Sequence, residues 1–252
     1  MNRTILIDGD EFVYVSCAAV EYEAEWDEQN IILASNQAQA WDTLQGKVNT
    51  VIQAVGEGDH KIAFAFGSRS FRKDIYPDYK AKRGKRLPLC YDKVLKRVYE
   101  NYVSLAIPPL EGDDVLAIMA TNGKHDNPVI VSQDKDMLTV PGTLFREGTL
   151  MLVSEGDADF YWLKQTLTGD TSDGYPGCPG VGPVGAEKLL AEFVLSEGGF
   201  NTEEAWKAVV RTFEAKGLTY DDALTQARLA RIVRDCDWDS EKLEVKLWSP
   251  ND

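Results

Sequence analysis

Histidine and cysteine are scarce in this chain. Its 252 residues include only His60 and His125, and the four cysteines, Cys17, Cys90, Cys178 and Cys236, show no paired spacing. The sequence therefore argues against zinc fingers, histidine-metal centres and disulfide frameworks, and a reducing cytoplasm is the expected setting. Long apolar runs are missing too. The longest, VLAIMA at 115–120, is far shorter than the roughly 20 residues of a membrane-spanning helix, so a soluble protein without a membrane partner is expected. The opening MNRTILIDGDEF carries Asp8, Asp10 and Glu11 where a secretory signal keeps its apolar stretch free of acid, so no export is expected. Positive charge is short as well: 27 Lys and Arg face 41 Asp and Glu, leaving a net charge of −14. Such a balance ordinarily speaks against a polyanionic partner, because phosphates are held by Lys and Arg. What remains, 44% hydrophobic and 27% charged, is globular composition, enough for one large or two small domains.

Short apolar runs at 4–7 and 62–66, ended by Gly and acid, read as buried strands. Between them Trp41, Leu44, Val48, Val51, Ile52 and Val55 recur at helical spacing after Ser35, a suitable cap. Tyr91, Val94, Leu95, Val98 and Tyr102 predict a second amphipathic helix, residues 115–120 a third, and 129–132 another strand. The alternation predicts an α/β fold with a mainly parallel central sheet flanked by helices. After a hairpin at 144–153 the pattern turns helical, at 162–167, 186–194, 205–213 and 223–233. Two regions are expected: 1–155, an α/β core, and 156–252, a helical region.

The charge average conceals a local reversal. Residues 69–97 hold eleven basic side chains, among them Arg72, Lys80, Lys82, Arg83 and Lys85, against three acidic ones. A solvated charged face is one reading. Interleaved Phe71, Tyr76, Tyr79 and Tyr91 add stacking surface beside phosphate-binding groups and make a nucleic-acid contact the other.

Four acid clusters stand at or near predicted strand ends: Asp8; Glu111, Asp113 and Asp114; Asp134 and Asp136; and Asp170 and Asp173 in GDTSDG. Singly each has an ordinary explanation, as a helix cap or turn residue. Together, crowded carboxylates repel unless protonated or bound to cations, and oxygen donors without His or Cys select Mg²⁺ or Mn²⁺. Two such ions can activate water and stabilise the leaving oxygen in phosphodiester hydrolysis. The spacing of 134 and 136 puts both carboxylates on one side if the chain there is extended. Gly180, Gly182 and Gly185 match GxGxxG, but YPGCP rather than a strand precedes them, which argues against a dinucleotide site. The turn could instead offer helix N-terminal amides to a phosphate, or simply join two helices.

These segments, ILIDGD, FRKDIYPDYKAKRGK, LEGDD, SQDKD, GDTSDG and PGVGPVG, in this order, resemble the phage-type 5′→3′ exonucleases of the flap endonuclease superfamily, with weaker likeness in ARLARIVR and LWSP. The resemblance implies a PIN-like nuclease core and a C-terminal helix–turn–helix. It implies 5′→3′ hydrolysis of duplex DNA in replication, extending to RNA in RNA–DNA hybrids and to 5′ flaps, by a monomer. It implies metal-ligand positions at Asp8, Glu111, Asp113, Asp114, Asp134, Asp136, Asp170 and Asp173, and catalytic positions at Arg72, Tyr79 and Lys80. Lys82, Arg83 and Lys85 would bind substrate within an arch or gateway over about 67–104. Gly180, Gly182 and Gly185 would grip duplex backbone, with a K⁺ ion. One departure stands out: many members carry an Asp just after the second strand, and AFAFGSRSFR offers no carboxylate there. Two rivals remain. A haloacid dehalogenase-type phosphatase would use Asp8 and Asp10 but leaves LEGDD, SQDKD and the basic stretch unassigned. A catalytically inactive DNA-binding protein would explain the missing Asp but not the eight retained acids.

Overall fold

β1 (Thr4–Asp8) is buried along its whole length, as an apolar strand at the centre of a sheet covered on both faces must be. Then come α1 (Gly9–Ala18), β2 (Glu21–Asp27), β3 (Asn30–Ser35), α2 (Gln37–Val55), β4 (Lys61–Phe66), the single turn α3 (Arg72–Ile75), α4 (Tyr91–Asn101) and β5 (Val103–Ala106). α5 (Gly112–Thr121), β6 (Val129–Val131), a 3₁₀ turn (Lys135–Thr139), β7 (Gly142–Arg146) and β8 (Thr149–Val153) follow. Helices then dominate, as α6 (Glu155–Thr168), α7 (Pro183–Leu190), α8 (Thr202–Glu214) and α9 (Tyr220–Ala230), before the short pair β9 (Trp238–Asp239) and β10 (Glu244–Val245). The computed structural model describes residues 2–250 except 28, 29, 83, 85, 197 and 198.

The fold is α/β. Six strands form one sheet in the order β5-β4-β1-β6-β7-β8, all parallel except β8, which turns back against β7. Strand order reverses at β1, which lies between β4 and β6, so a crevice opens beyond their carboxyl ends, where ligands collect in such sheets. The period of two along β1 feeds both faces. Ile5 and Ile7 join Phe12, Leu44, Phe64 and Val94 under α1, α2 and α4. Leu6 joins Leu110, Leu116, Ile130 and Met137 under α5. A third core, around Trp162, Leu163, Trp206, Phe213 and Leu229, fills the helical region.

The structure departs from the sequence reading in several places. α1, the β2–β3 hairpin and β5 lie outside the elements that the sequence pattern predicts. The hairpin is a poor signal because its alternation answers to no core: Tyr22, Trp26 and Ile31 are all exposed. The helix expected to run to 233 ends at Ala230, and Ile232, Val233 and Trp238 pack on the α5 side of the sheet. The region 156–252 therefore returns its end to the α/β core. Ser154 and Asp157 make a capping box that starts α6. No helix among the described residues is long and apolar enough to cross a membrane. The four cysteines are free, with Cys236 alone of them exposed.

Candidate active site

The crevice is a polar cavity of about 380 Å³. Among the described residues, Asp8, Asp10, Glu11, Glu111, Asp113 and Asp134 bring six carboxylates to it, against the ammonium of Lys80. Backbone geometry places them. Asp8 ends β1 and caps α1, its Oδ1 accepting from the Glu11 amide at 3.0 Å. Its Oδ2 accepts from the Ser132 hydroxyl at 2.9 Å, and Ser132 Oγ in turn accepts from the Asp134 amide at 3.1 Å. Across the crevice Glu111 starts α5 in a capping box with Asp114, leaving Asp113 between them to face the cavity.

Electrostatics separates these acids into two kinds. Burial, reinforced by Glu11, lifts Asp8 to about 7. Burial, with Asp8 and Asp134 nearby, raises Asp113 well above the carboxylate range, and burial also raises Asp10 and Glu11. Glu111 behaves oppositely: burial alone would raise it, but the Arg72 guanidinium and Lys80 ammonium hold it down at about 2. Carboxylates that resist ionising for want of a counter-charge are suited to a cation. Among the described residues no three His, Cys, Asp or Glu side chains converge as the ligands of one ion. An open, all-oxygen cavity of this kind fits Mg²⁺ or Mn²⁺, which keep several waters and need few protein ligands, rather than an ion held in a closed protein cage.

Not every expected residue faces the cavity. Asp114 is fully buried: Oδ1 accepts from Arg72 Nη2 (2.8 Å) and the Val233 amide (3.0 Å), and Oδ2 from Arg72 Nη1 (2.8 Å) and the Glu111 amide (3.0 Å). With four donors on two oxygens it is a structural anchor, a correction to the expected metal position. Arg72 is corrected likewise. It is 1% exposed and also donates to Glu111 Oε2 and to the carbonyls of Leu229 and Arg231, so it cannot touch DNA and instead positions Glu111. Tyr79 is buried, with its hydroxyl between Glu111 Oε2 (3.0 Å) and Asp173 Oδ2 (2.9 Å), its one proton serving one acid at a time. Lys80 pairs with Glu111 and lies 3.6 Å from Asp173.

Asp134 and Asp136 are not on one side of an extended chain. β6 has ended, and Asp134 caps the 3₁₀ turn by accepting from the Asp136 amide. Asp134 faces the cavity, whereas Asp136 accepts from Gln165 Nε2 of α6 and is raised to about 6 by burial and by Asp134. Asp170 pairs with Lys135 and accepts from the amide and hydroxyl of Ser172. Asp173 meets Tyr79 and Lys80, whose amide donates to the Asp173 carbonyl at 2.7 Å. The sequence reading gave no metal role to Asp10 or Glu11. The crowding of acid in DGDE was the one available signal, and the start of a helix explained it.

Much of the segment 67–104, expected as a gateway, packs against the core. Phe71, Arg72 and Tyr79 are buried at its root, and α4 packs on the sheet. Among the described residues of its middle part, Ala81, Gly84, Leu87 and Leu89 are exposed, while Pro88 and Cys90 are buried. There Lys82 is exposed, and Arg86 makes a two-pronged contact with Glu21 of β2. Arg83 and Lys85 lie outside the described residues. Lys82→Ala is expected to weaken DNA binding regardless of sequence and to lower the slope of log affinity against log salt by about one unit. An unchanged slope would make this stretch an ordinary solvated face. Gly180, Gly182 and Gly185 are exposed at the entry to α7, and Gly182 caps it with Pro183 behind. A Cβ at Gly182 would meet nothing within 4 Å, and one at Gly180 only Lys216 Nζ, at 3.8 Å.

The fold is similar to that of flap endonucleases. The phage T5 D15 flap endonuclease, solved as a pseudo-enzyme–product complex with DNA and metal ions, superposes with a TM-score of 0.60 at 14% identity, over 91% of this chain and 89% of that one. The catalytic core of Rad2 in complex with DNA substrate does so at 0.51 and 13% identity, over 98% and 83%. Residues 3–154 match the family described as the 5′-3′ exonuclease N-terminal, resolvase-like domain, and the chain belongs to that family. It is 29% identical to the exonuclease of Escherichia phage T7 over 98% of this chain and 93% of that protein. To the exodeoxyribonuclease of Enterobacteria phage T3 it is 28% identical, over 98% and 92%. To DNA polymerase I of Thermus aquaticus it is 26% identical, over 83% of this chain and 26% of the polymerase.

Proposed function

We propose that this chain is a divalent-metal-dependent 5′→3′ exonuclease that hydrolyses phosphodiester bonds from the 5′ ends of duplex DNA, and also acts on RNA paired to DNA and on 5′ flaps, as a monomer in the cytoplasm of a phage host. The carrying observation is the cavity in which, among the described residues, six carboxylates face one lysine at the carboxyl ends of β1 and β6. Mg²⁺ or Mn²⁺ bound there, as a pair of ions, would supply Lewis acidity and activate water for attack on the phosphodiester. Asp8, Asp113 and Asp134 hold the ions, with Asp136, Asp170 and Asp173 at their outer edge. Glu111, kept ionised by Arg72 and Lys80, completes the negative wall. Lys80 meets the scissile phosphate, Tyr79 steadies Glu111 and Asp173, and Lys82, with Arg83 and Lys85, holds the approaching strand. Gly180, Gly182 and Gly185 leave backbone open to duplex phosphates and to a K⁺ ion.

Polarity of attack tests the reading. Closed circular duplex is expected to resist, while linear and nicked duplexes lose label from the 5′ end. Release of inorganic phosphate from a phosphomonoester, with the duplexes intact, would instead indicate the phosphatase. All four substrates intact would indicate a binding protein. A 3′ label lost first would overturn the polarity.

Metal binding and pH are linked here. Asp8 is raised above its unfolded value, so its contribution to the metal-free protein is present below that value and is lost as pH rises through about 7. A divalent ion takes the place of the proton, and its affinity rises over the same interval. At a hundredfold excess over its dissociation constant it should add about 2.7 kcal/mol, or about 5–11 °C in Tm. The rise is expected to be larger at about pH 8 than at about pH 5.5. A Tm indifferent to Mg²⁺ and Mn²⁺ at both would exclude the metal site.

A further inference from the structure

We propose that Asp10 supplies, from the first turn of α1, the metal-facing carboxylate that this chain lacks at the end of β4. The inference rests on the metal reading of the cavity given above. β1 and β4 are parallel neighbours with Asp8 opposite Ala65, so the start of α1 and the end of β4 lie side by side. Gly9 makes the approach close: a Cβ there would stand 2.4 Å from the Phe66 ring and 2.7 Å from the Ala65 carbonyl. The helix can begin hard against β4 only with glycine at that place. Asp10 is thereby carried over Gly67, the first residue beyond the strand. The Gly67 amide donates to Asp10 Oδ2 at 2.7 Å, and the Tyr91 hydroxyl to Oδ1 at 3.2 Å.

Gly67 is not required by its own backbone, since its φ lies outside the left-handed range. The space decides. A Cβ on residue 67 would sit 3.1 Å from Asp10 Oδ2 and 3.3 Å from the Gly112 amide nitrogen. The Asp10 carboxylate therefore occupies the place where a side chain at 67 would begin. Helix capping does not account for it, because Asp8 is the cap and both of Asp10's bonds reach across to other elements. Each carboxylate oxygen takes one donor and keeps lone pairs for the cavity, which Asp10 shares with Asp8, Glu111 and Asp113.

The test is Mn²⁺ binding by the intact protein without DNA, read by calorimetry and by the electron paramagnetic resonance of free Mn²⁺. Wild type is expected to take up two ions. Asp10→Asn, which keeps the shape and an oxygen to accept from the Gly67 amide, with the Tyr91 hydroxyl free to turn and accept from the new NH₂, should weaken one of them by at least about tenfold and leave the other unchanged. The double variant Asp10→Ser with Gly67→Asp should regain most of the lost affinity, because it returns a carboxylate to the same place from β4; circular dichroism would establish that it folds. An isotherm of Asp10→Asn that matches wild type overturns the proposal while leaving the metal site standing. A folded double variant that binds no better than Asp10→Ser alone overturns the spatial exchange. Absence of Mn²⁺ uptake by wild type would overturn the metal reading together with this inference.

Discussion

Asp113→Asn is expected to lower the rate of 5′-end cleavage by at least about 10²-fold, while binding of the same duplex measured in Ca²⁺ changes little. The magnitude follows from removing a carboxylate on the reacting side of the cavity, where loss even of a supporting ligand costs about 10- to 100-fold and loss of a group that stabilises developing charge about 10²–10³-fold. The fold should not suffer. Burial, Asp8 and Asp134 hold the Asp113 carboxyl above its ordinary range, so its ionised form is opposed in the metal-free protein, and an amide removes that opposition. Metal-free Asp113→Asn should thus melt no lower than wild type, yet gain less from Mg²⁺. Asp134→Asn should act in the same direction, since Asp134 faces the same cavity beside Asp8 and Glu11. Full cleavage by either variant in saturating Mg²⁺ would remove that residue from the site.

Arg72→Met is expected to act on stability, and strongly. The guanidinium is 1% exposed, forks onto both oxygens of fully buried Asp114, reaches Glu111, and ties the carbonyls of Leu229 and Arg231 to the α5 side of the sheet. Deleting one partner of a buried ion pair strands the other, at about 3–5 kcal/mol. For a protein of this size that is about 6–20 °C in Tm. Arg72→Lys should recover little, because one ammonium cannot reproduce the fork. Thermal and urea unfolding of the metal-free proteins decide the matter: a shift within about 2 °C would mean that water or a neighbour takes over the guanidinium's contacts. Asp113 and Asp114 are adjacent in the chain, yet substitution of one is expected to slow chemistry and disturbance of the other's partner to destabilise the protein. Helix geometry is the reason, since successive residues on α5 point about 100° apart, one to the cavity and one to the interior.

Much of the site was legible in the sequence because each acid adjoins an element with a strong local signature. The apolar run before Asp8, the Pro-bounded start of α5 before Asp113 and the strand before Asp134 are short-range patterns, and the parallel sheet they imply gathers its strand ends on one edge. The resemblance then gave all eight acids one role. The structure divides them, because a role depends on which way a side chain faces and what already occupies its oxygens. Asp114 is saturated by four donors, Asp136 is turned toward Gln165, and Asp170 is held by Lys135 and Ser172.

The sequence by itself determined the chemistry on offer: hard oxygen donors without histidine, a basic and aromatic stretch in an acidic chain, and an alternation of strand and helix, all properties of residue type and of spacing within about one element. The tertiary structure alone decided the assignments that depend on partners distant in sequence. Arg72 became a buried anchor because Leu229 and Arg231 return to it, and Asp10 became a lining carboxylate because a glycine at 67 leaves it room. Local pattern carries no information about which distant groups will fill a space or claim a lone pair, and in a close-packed interior those two facts fix what a side chain can do.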